Sequence, residues 1–170
     1  FGERWSAIAQ GYGLDVVDLP VAWGQAADPD ALSALLDAHP EVTAVTLTAV
    51  ETSTGVRHPL EALCDVVRAR KDVLMLVDGI TSVGAMDVPM DKLGIDVLVT
   101  GSQKIYAVPP GLTFLGVSPR AWALQPSPGV PRYGLDMARE RDAQRRSQTA
   151  FSPAISLILG AREALALLRE

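Results

Sequence analysis

Apolar residues recur along this chain with two spacings. Longer stretches repeat every three to four positions, shorter ones alternate or run continuously, and the alternation predicts helices and strands in turn. A helical pattern from Phe1 to Tyr12 precedes a strand at Leu14-Asp15-Val16-Val17. Asp28-Pro29-Asp30 supplies an N-cap with proline at the first helical position and opens a helix to about Ala38. Val42 to Thr48 is the next strand. A helix from about Pro59 to Arg70 leads to the run Val73 to Val77, and a short connection leads to Val97-Leu98-Val99. Both runs are apolar on two faces, the mark of buried strands in a largely parallel sheet. Leu112 to Val117 reads as another strand and Pro153 to Leu168 as a long helix, with no internal repeat.

Strands alternating with helices imply an α/β fold, a mostly parallel sheet between helix layers, with ligands where the carboxyl ends of the strands open into loops. Three such loops carry chemistry. Glu51-Thr52-Ser53-Thr54-Gly55 follows the strand at 42–48, Asp78-Gly79-Ile80-Thr81-Ser82 follows 73–77, and Gly101-Ser102-Gln103-Lys104 follows 97–99. Singly, an aspartate at a strand end caps a turn and a lysine after Gly-Ser-Gln is a solvated charge. Together, an acid and an amine at one sheet edge suit pyridoxal 5′-phosphate (PLP). An amine condenses with its aldehyde, and a carboxylate keeps its pyridine nitrogen protonated. Asp78 suits that carboxylate, and Thr52, Ser102 and Gln103 are available donors for the ring oxygen and the phosphate.

Composition acts by exclusion. With 48% hydrophobic residues in 170, the chain can bury the core of one compact domain. Fifteen basic and twenty acidic residues give a formal charge of -5 with the signs interspersed, so no nucleic-acid partner is expected. His39 and His58 lack companions at a metal-ligand spacing, and no metal is predicted. The single cysteine, Cys64, falls in the apolar phase of its helix and reads as a small buried hydrophobe. No apolar stretch reaches the roughly 20 residues of a membrane span, and Phe1-Gly2-Glu3-Arg4-Trp5 lacks the order of a signal peptide, so a cytoplasmic location without membrane contact is expected.

The strand-end segments, extended to Val77-Asp78-Gly79-Ile80-Thr81-Ser82-Val83-Gly84 and followed by Pro109-Pro110-Gly111, resemble the class V aminotransferases, above all the alanine-glyoxylate and serine-pyruvate group. Phe1-Gly2-Glu3-Arg4-Trp5 and Gln148-Thr149-Ala150-Phe151-Ser152-Pro153 resemble it too, so the likeness runs through nearly the whole chain. It implies a PLP-enzyme large domain of the aspartate-aminotransferase type (fold type I), with the strand Leu112–Val117 opposed to its neighbours. It further implies Lys104 as the Schiff-base lysine and general acid-base, Asp78 at the pyridine nitrogen and Ile80 on a ring face. Thr52 falls near the ring oxygen, Gln103 near the phosphate, and the stretch around Thr149 and Ser152 near the phosphate of a neighbouring subunit in a homodimer.

By the same resemblance, residues 1–170 form part of a large domain. The glycine-rich cofactor cradle and the ring-stacking aromatic precede Phe1, and the arginine that clamps the substrate carboxylate lies in a C-terminal small domain beyond Glu170. Arg145 and Arg146 read instead as a solvated helix face. The expected reaction is transamination between alanine or serine and glyoxylate or pyruvate. Two alternatives share the scaffold. A cysteine desulfurase or related lyase would need a mobile cysteine and typically a histidine where Gln103 stands, and a non-catalytic fragment would keep only the fold.

Overall fold

The computed structural model describes residues 1–124 and 131–169. Helix α1 (Gly2–Gly11) opens the chain, and α2 (Pro29–Ala38) follows, with Asp28 accepting from the Asp30 N–H at 2.9 Å and Pro29 in the first turn. Next come β1 (Ala44–Thr48), a short hairpin of β2 (Val50–Glu51) and β3 (Val56–Arg57), α3 (Leu60–Arg68), β4 (Leu74–Asp78), α4 (Met90–Leu93) and β5 (Val97–Gly101). Strand β6 (Thr113–Val117) leads to α5 (Pro119–Ala123), a 3₁₀ turn at Tyr133–Leu135, α6 (Met137–Gln144) and α7 (Ile155–Leu167).

The main sheet has the order β1-β4-β5-β6. Its first three strands are parallel, and β6 pairs antiparallel with β5, as expected of the final strand. Helix α3 explains how the sheet is covered. Leu60, Leu63, Cys64 and Val67 recur at i, i+3, i+4 and i+7, so they form one buried stripe. The stripe belongs to the same core cluster as Met75 and Val77 of β4, with Leu32 and Leu36 of α2. Cys64 is 1% exposed, and burial pushes its thiol up to about 11.

At the amino ends of the parallel strands, a carboxylate ties three elements together. Asp96, 3% exposed, accepts from the Met75 N–H (2.9 Å), the Ser118 hydroxyl (2.8 Å) and the Arg120 guanidinium (3.0 and 2.5 Å). Arg120 in turn donates to the carbonyls of Lys71 and Val73. Burial alone would raise the Asp96 pKa, but the donors from Arg120, Met75 and Ser118 together hold it below the usual carboxylate value.

One predicted strand is corrected. Leu14 to Val17 joins no ladder among the described residues, and Leu14 (59%) and Val17 (39%) remain exposed. β-branched composition favours extension, but a strand exists only where a neighbour pairs its N–H and C=O groups. The β2–β3 hairpin, α4, α5 and the 3₁₀ turn were not anticipated, and α6 was anticipated only as the helix face that carries Arg145 and Arg146. Helices α5 and α6 had legible starts, because Ser118 caps α5 by accepting from the Ala121 N–H, and Asp136 caps α6 by accepting from those of Ala138 and Arg139. Among the described residues, no helix is long and apolar enough to cross a membrane.

Candidate active site

The parallel register sets the carboxyl ends of β1, β4 and β5 side by side: Thr48 is in register with Asp78, and Asp78 with Val99. The ladder continues one residue further, through Ala49 N–H to the Asp78 carbonyl (2.9 Å) and Gly79 N–H to the Val99 carbonyl (2.8 Å). Asp78 is half-buried. Its Oδ1 accepts from the Ile80 N–H at 3.0 Å, a local turn that fixes the carboxylate, while Oδ2 meets no partner among the described residues. Glycine at 79 is required by the close approach of the chain to β5, since a Cβ would lie 2.7 Å from Val83 Cγ2 and 2.9 Å from Leu98 Cδ1.

The turn after Gly79 reaches both neighbouring loops. Thr81 Oγ1 shares a 2.8 Å hydrogen bond with Thr52 Oγ1 in the hairpin turn. Gly84, at φ +87°, packs so closely against Ile105 that a Cβ would come within 2.5 Å of its Cγ2. The Asp78 turn is therefore in contact with both the hairpin turn and the lysine loop.

The lysine loop is braced at its base. Ser102, 0% exposed, donates its hydroxyl to the Pro109 carbonyl (2.7 Å) and accepts from the Leu112 N–H (3.3 Å). Its backbone adds Ser102 N–H to the Leu112 carbonyl and Val108 N–H to the Ser102 carbonyl, each at 3.1 Å. The expected free donor at Ser102 is thus a buried staple, its hydroxyl wholly engaged by backbone. Gln103 and Lys104 project from the braced loop and are exposed, with the Gln103 amide lying over Gly101. The Lys104 ammonium has no ion-pair or hydrogen-bond partner among the described residues. Ala107, whose N–H donates to the Lys104 carbonyl at 3.0 Å, sits at φ 52°, a left-handed conformation unusual for alanine.

Six of the predicted site residues, Thr52, Asp78, Ile80, Ser102, Gln103 and Lys104, therefore stand on three touching loops. Thr149 does not join them. It lies between α6 and α7, donates to the Phe151 carbonyl at 2.7 Å, and lines a largely apolar groove of about 830 Å³ with Phe114, Ser152 and Ile158 on the outer flank of β6. Arg145 and Arg146 are exposed at the end of α6, and Arg145 pairs with Asp142. Thr81, the tie between two loops, was missed as a contributor although it stands inside a quoted motif.

The donor set fits PLP. An unpaired primary amine matches its aldehyde, a half-buried carboxylate with one open oxygen matches its pyridine nitrogen, and exposed hydroxyl and amide groups match its ring oxygen and phosphate. Cys64, in contrast, is enclosed in α3 with its thiol disfavoured from ionising, which is the environment of a structural rather than a nucleophilic cysteine.

Comparison with known proteins agrees with this arrangement. The family model described as aminotransferase class-V matches residues 3–170. A soluble hydrogenase 42 kDa subunit of Anabaena cylindrica is 41% identical over 172 residues, covering 100% of the chain and 45% of that protein. An L-aspartate–glyoxylate aminotransferase of Paracoccus denitrificans is 36% identical, covering 94% of the chain and 41% of its own length. The crystal structure of an alanine–glyoxylate aminotransferase from Nostoc sp. superposes with a TM-score of 0.88 at 30% identity, covering 97% of the chain and 44% of that structure. The chain thus spans less than half the length of these relatives. Carrying the sheet, the three joined loops and a family match over nearly all its residues, it belongs to the class-V aminotransferases, a PLP-dependent family.

Proposed function

We propose that the full-length protein is a PLP-dependent aminotransferase that moves an amino group between alanine or serine and glyoxylate or pyruvate. One observation carries the reading: the unpaired Lys104 amine and the Asp78 carboxylate rise from adjacent parallel strands on loops that touch. Lys104 would hold the cofactor covalently through its aldehyde carbon, Asp78 its pyridine nitrogen, Thr52 its ring oxygen and Gln103 its phosphate. Ile80 would lie against a ring face, and Ser102 keeps the loop in shape.

When bound, the cofactor supplies an electron sink for the pair left as the substrate Cα–H bond breaks. Lys104 does the proton work. Its amine, when free, would take the substrate Cα proton as general base and would return it at C4′ as general acid. The Asp78 carboxylate would keep the ring nitrogen protonated meanwhile. The groove that Thr149 lines flanks the start of β6, beside the strand end that carries the lysine loop, and supports the reading that this residue serves a second subunit of a cytoplasmic homodimer. An isologous pair would place each copy's Thr149 toward the other's phosphate.

The test is Lys104→Ala in the full-length protein. Borohydride should fix cofactor to the parent and not to the variant, and turnover should fall by at least the roughly 10²–10⁴-fold of positioned acid-base catalysis. A variant that still forms the reducible link and transaminates at the parent rate removes the assignment. A panel of amino donors and 2-oxo acids on the parent identifies the substrates.

A further inference from the structure

Strand β1 ends on a side chain that packing does not explain. Thr48 is 8% exposed, its Oγ1 is enclosed, and no donor or acceptor meets it among the described residues. Valine has nearly the same shape and would bury no hydroxyl, whereas an unpaired buried hydroxyl costs about 1–3 kcal/mol. Such a group is explained by a partner it acquires in another state of the molecule. Thr48 stands in register with Asp78 on the neighbouring parallel strand, so the two side chains leave the same face of the sheet. The Oδ1 of Asp78 is occupied by the Ile80 N–H and its Oδ2 is open. An open donor and an open acceptor therefore occupy matched positions at the edge where the cofactor would bind. The other enclosed hydroxyl without a partner, that of Thr100, is offset by one residue from Val99 and so leaves the opposite face, alongside Phe114.

We infer that Thr48 is a positioning residue for the cofactor: its hydroxyl turns to Oδ2 of Asp78, directly or through one water, when that carboxylate engages the ring nitrogen of PLP. Held at both oxygens, the carboxylate cannot rotate away from the ring. The inference rests on the Asp78 assignment proposed above.

The experiment uses the full-length protein with Thr48→Val, Thr48→Ser and Asp78→Asn, singly and with Thr48→Val and Asp78→Asn combined. It reads the PLP dissociation constant, the pH titration of the bound cofactor's visible band, and the melting of the cofactor-free protein. Thr48→Val should weaken PLP binding about 5-fold, the worth of one net hydrogen bond, and shift the band's titration midpoint. Thr48→Ser should restore both, and cofactor-free Thr48→Val should melt no lower than the parent. In the Asp78→Asn background the effect of Thr48→Val should vanish, which a merely structural role would not produce. Unchanged binding and titration in Thr48→Val overturn the inference while leaving the Asp78 assignment standing. So does a full effect in the Asp78→Asn background, or a lower melting temperature of the cofactor-free valine variant, which would show the hydroxyl already paired. A parent that takes up no PLP overturns both readings.

Discussion

The two ends of the parallel sheet treat charge in opposite ways. At the amino ends of the strands, Asp96 is sunk to 3% exposure and both of its oxygens accept hydrogen bonds, while Arg120 closes onto two further carbonyls. At the carboxyl ends, among the described residues, Asp78 leaves one oxygen open, Lys104 meets no counter-charge and the Thr48 hydroxyl meets no hydrogen-bond partner. The same polypeptide can satisfy buried polar groups completely, so the open groups at the other end are a selective omission. A saturated carboxylate contributes to folding and is inert, whereas an unsaturated one is available to a ligand.

Four substitutions or conditions test the contrast. The largest effect is expected for Asp96→Ala. It strips Met75, Ser118 and Arg120 of their acceptor at once and should cost about 3 kcal/mol in urea unfolding, the low end for a broken buried pair because Arg120 is partly exposed. Asp78→Asn should do the reverse. The amide oxygen still accepts from the Ile80 N–H, so the urea midpoint should stay near that of the parent, while transamination by the full-length enzyme falls about 10²-fold through loss of the charge at the ring nitrogen.

Acid should separate the ends in a third way. The folded pKa of Asp96 lies below its unfolded value of about 3.9, so its stabilisation is fully present above that value and is lost as pH falls through the lowered folded one. Urea midpoints measured from pH 5 down to pH 2 should therefore fall more steeply for the parent than for Asp96→Asn. The smallest effect concerns the lysine loop. Ala107→Gly relieves a left-handed alanine and should raise stability by about 1 kcal/mol, visible as a higher melting temperature. If it lowers the melting temperature, the loop is not strained there.

The contrast was only half legible in the sequence. The carboxyl-end loops announced themselves because glycine, hydroxyl, acid and lysine follow directly on apolar runs, and the parallel register had to bring them together once the strands were right. The staple at Asp96 was silent, since an aspartate before an apolar run looks the same whether its partner is water or an arginine 24 residues away. Ser102 shows the same limit: its residue type promised a donor, and only the fold of 102–112 reveals that Pro109 and Leu112 already occupy it. The strand expected at 14–17 failed because propensity acts within a segment, whereas pairing depends on what lies beside it.

The bracing of the lysine loop also has a consequence for timing. With Ser102 clamped to Val108, Pro109 and Leu112, and β6 zipped back along β5, the backbone that bears Lys104 moves only when the end of that ladder opens. Openings of that kind occur on microsecond and slower scales, and backbone amides at 108 and 112 should exchange with deuterium slowly and together. The amine itself hangs on a flexible, exposed stem that changes rotamer in picoseconds to nanoseconds. In the role proposed for Lys104, the amine would alternate between holding a cofactor and taking a proton without its base moving.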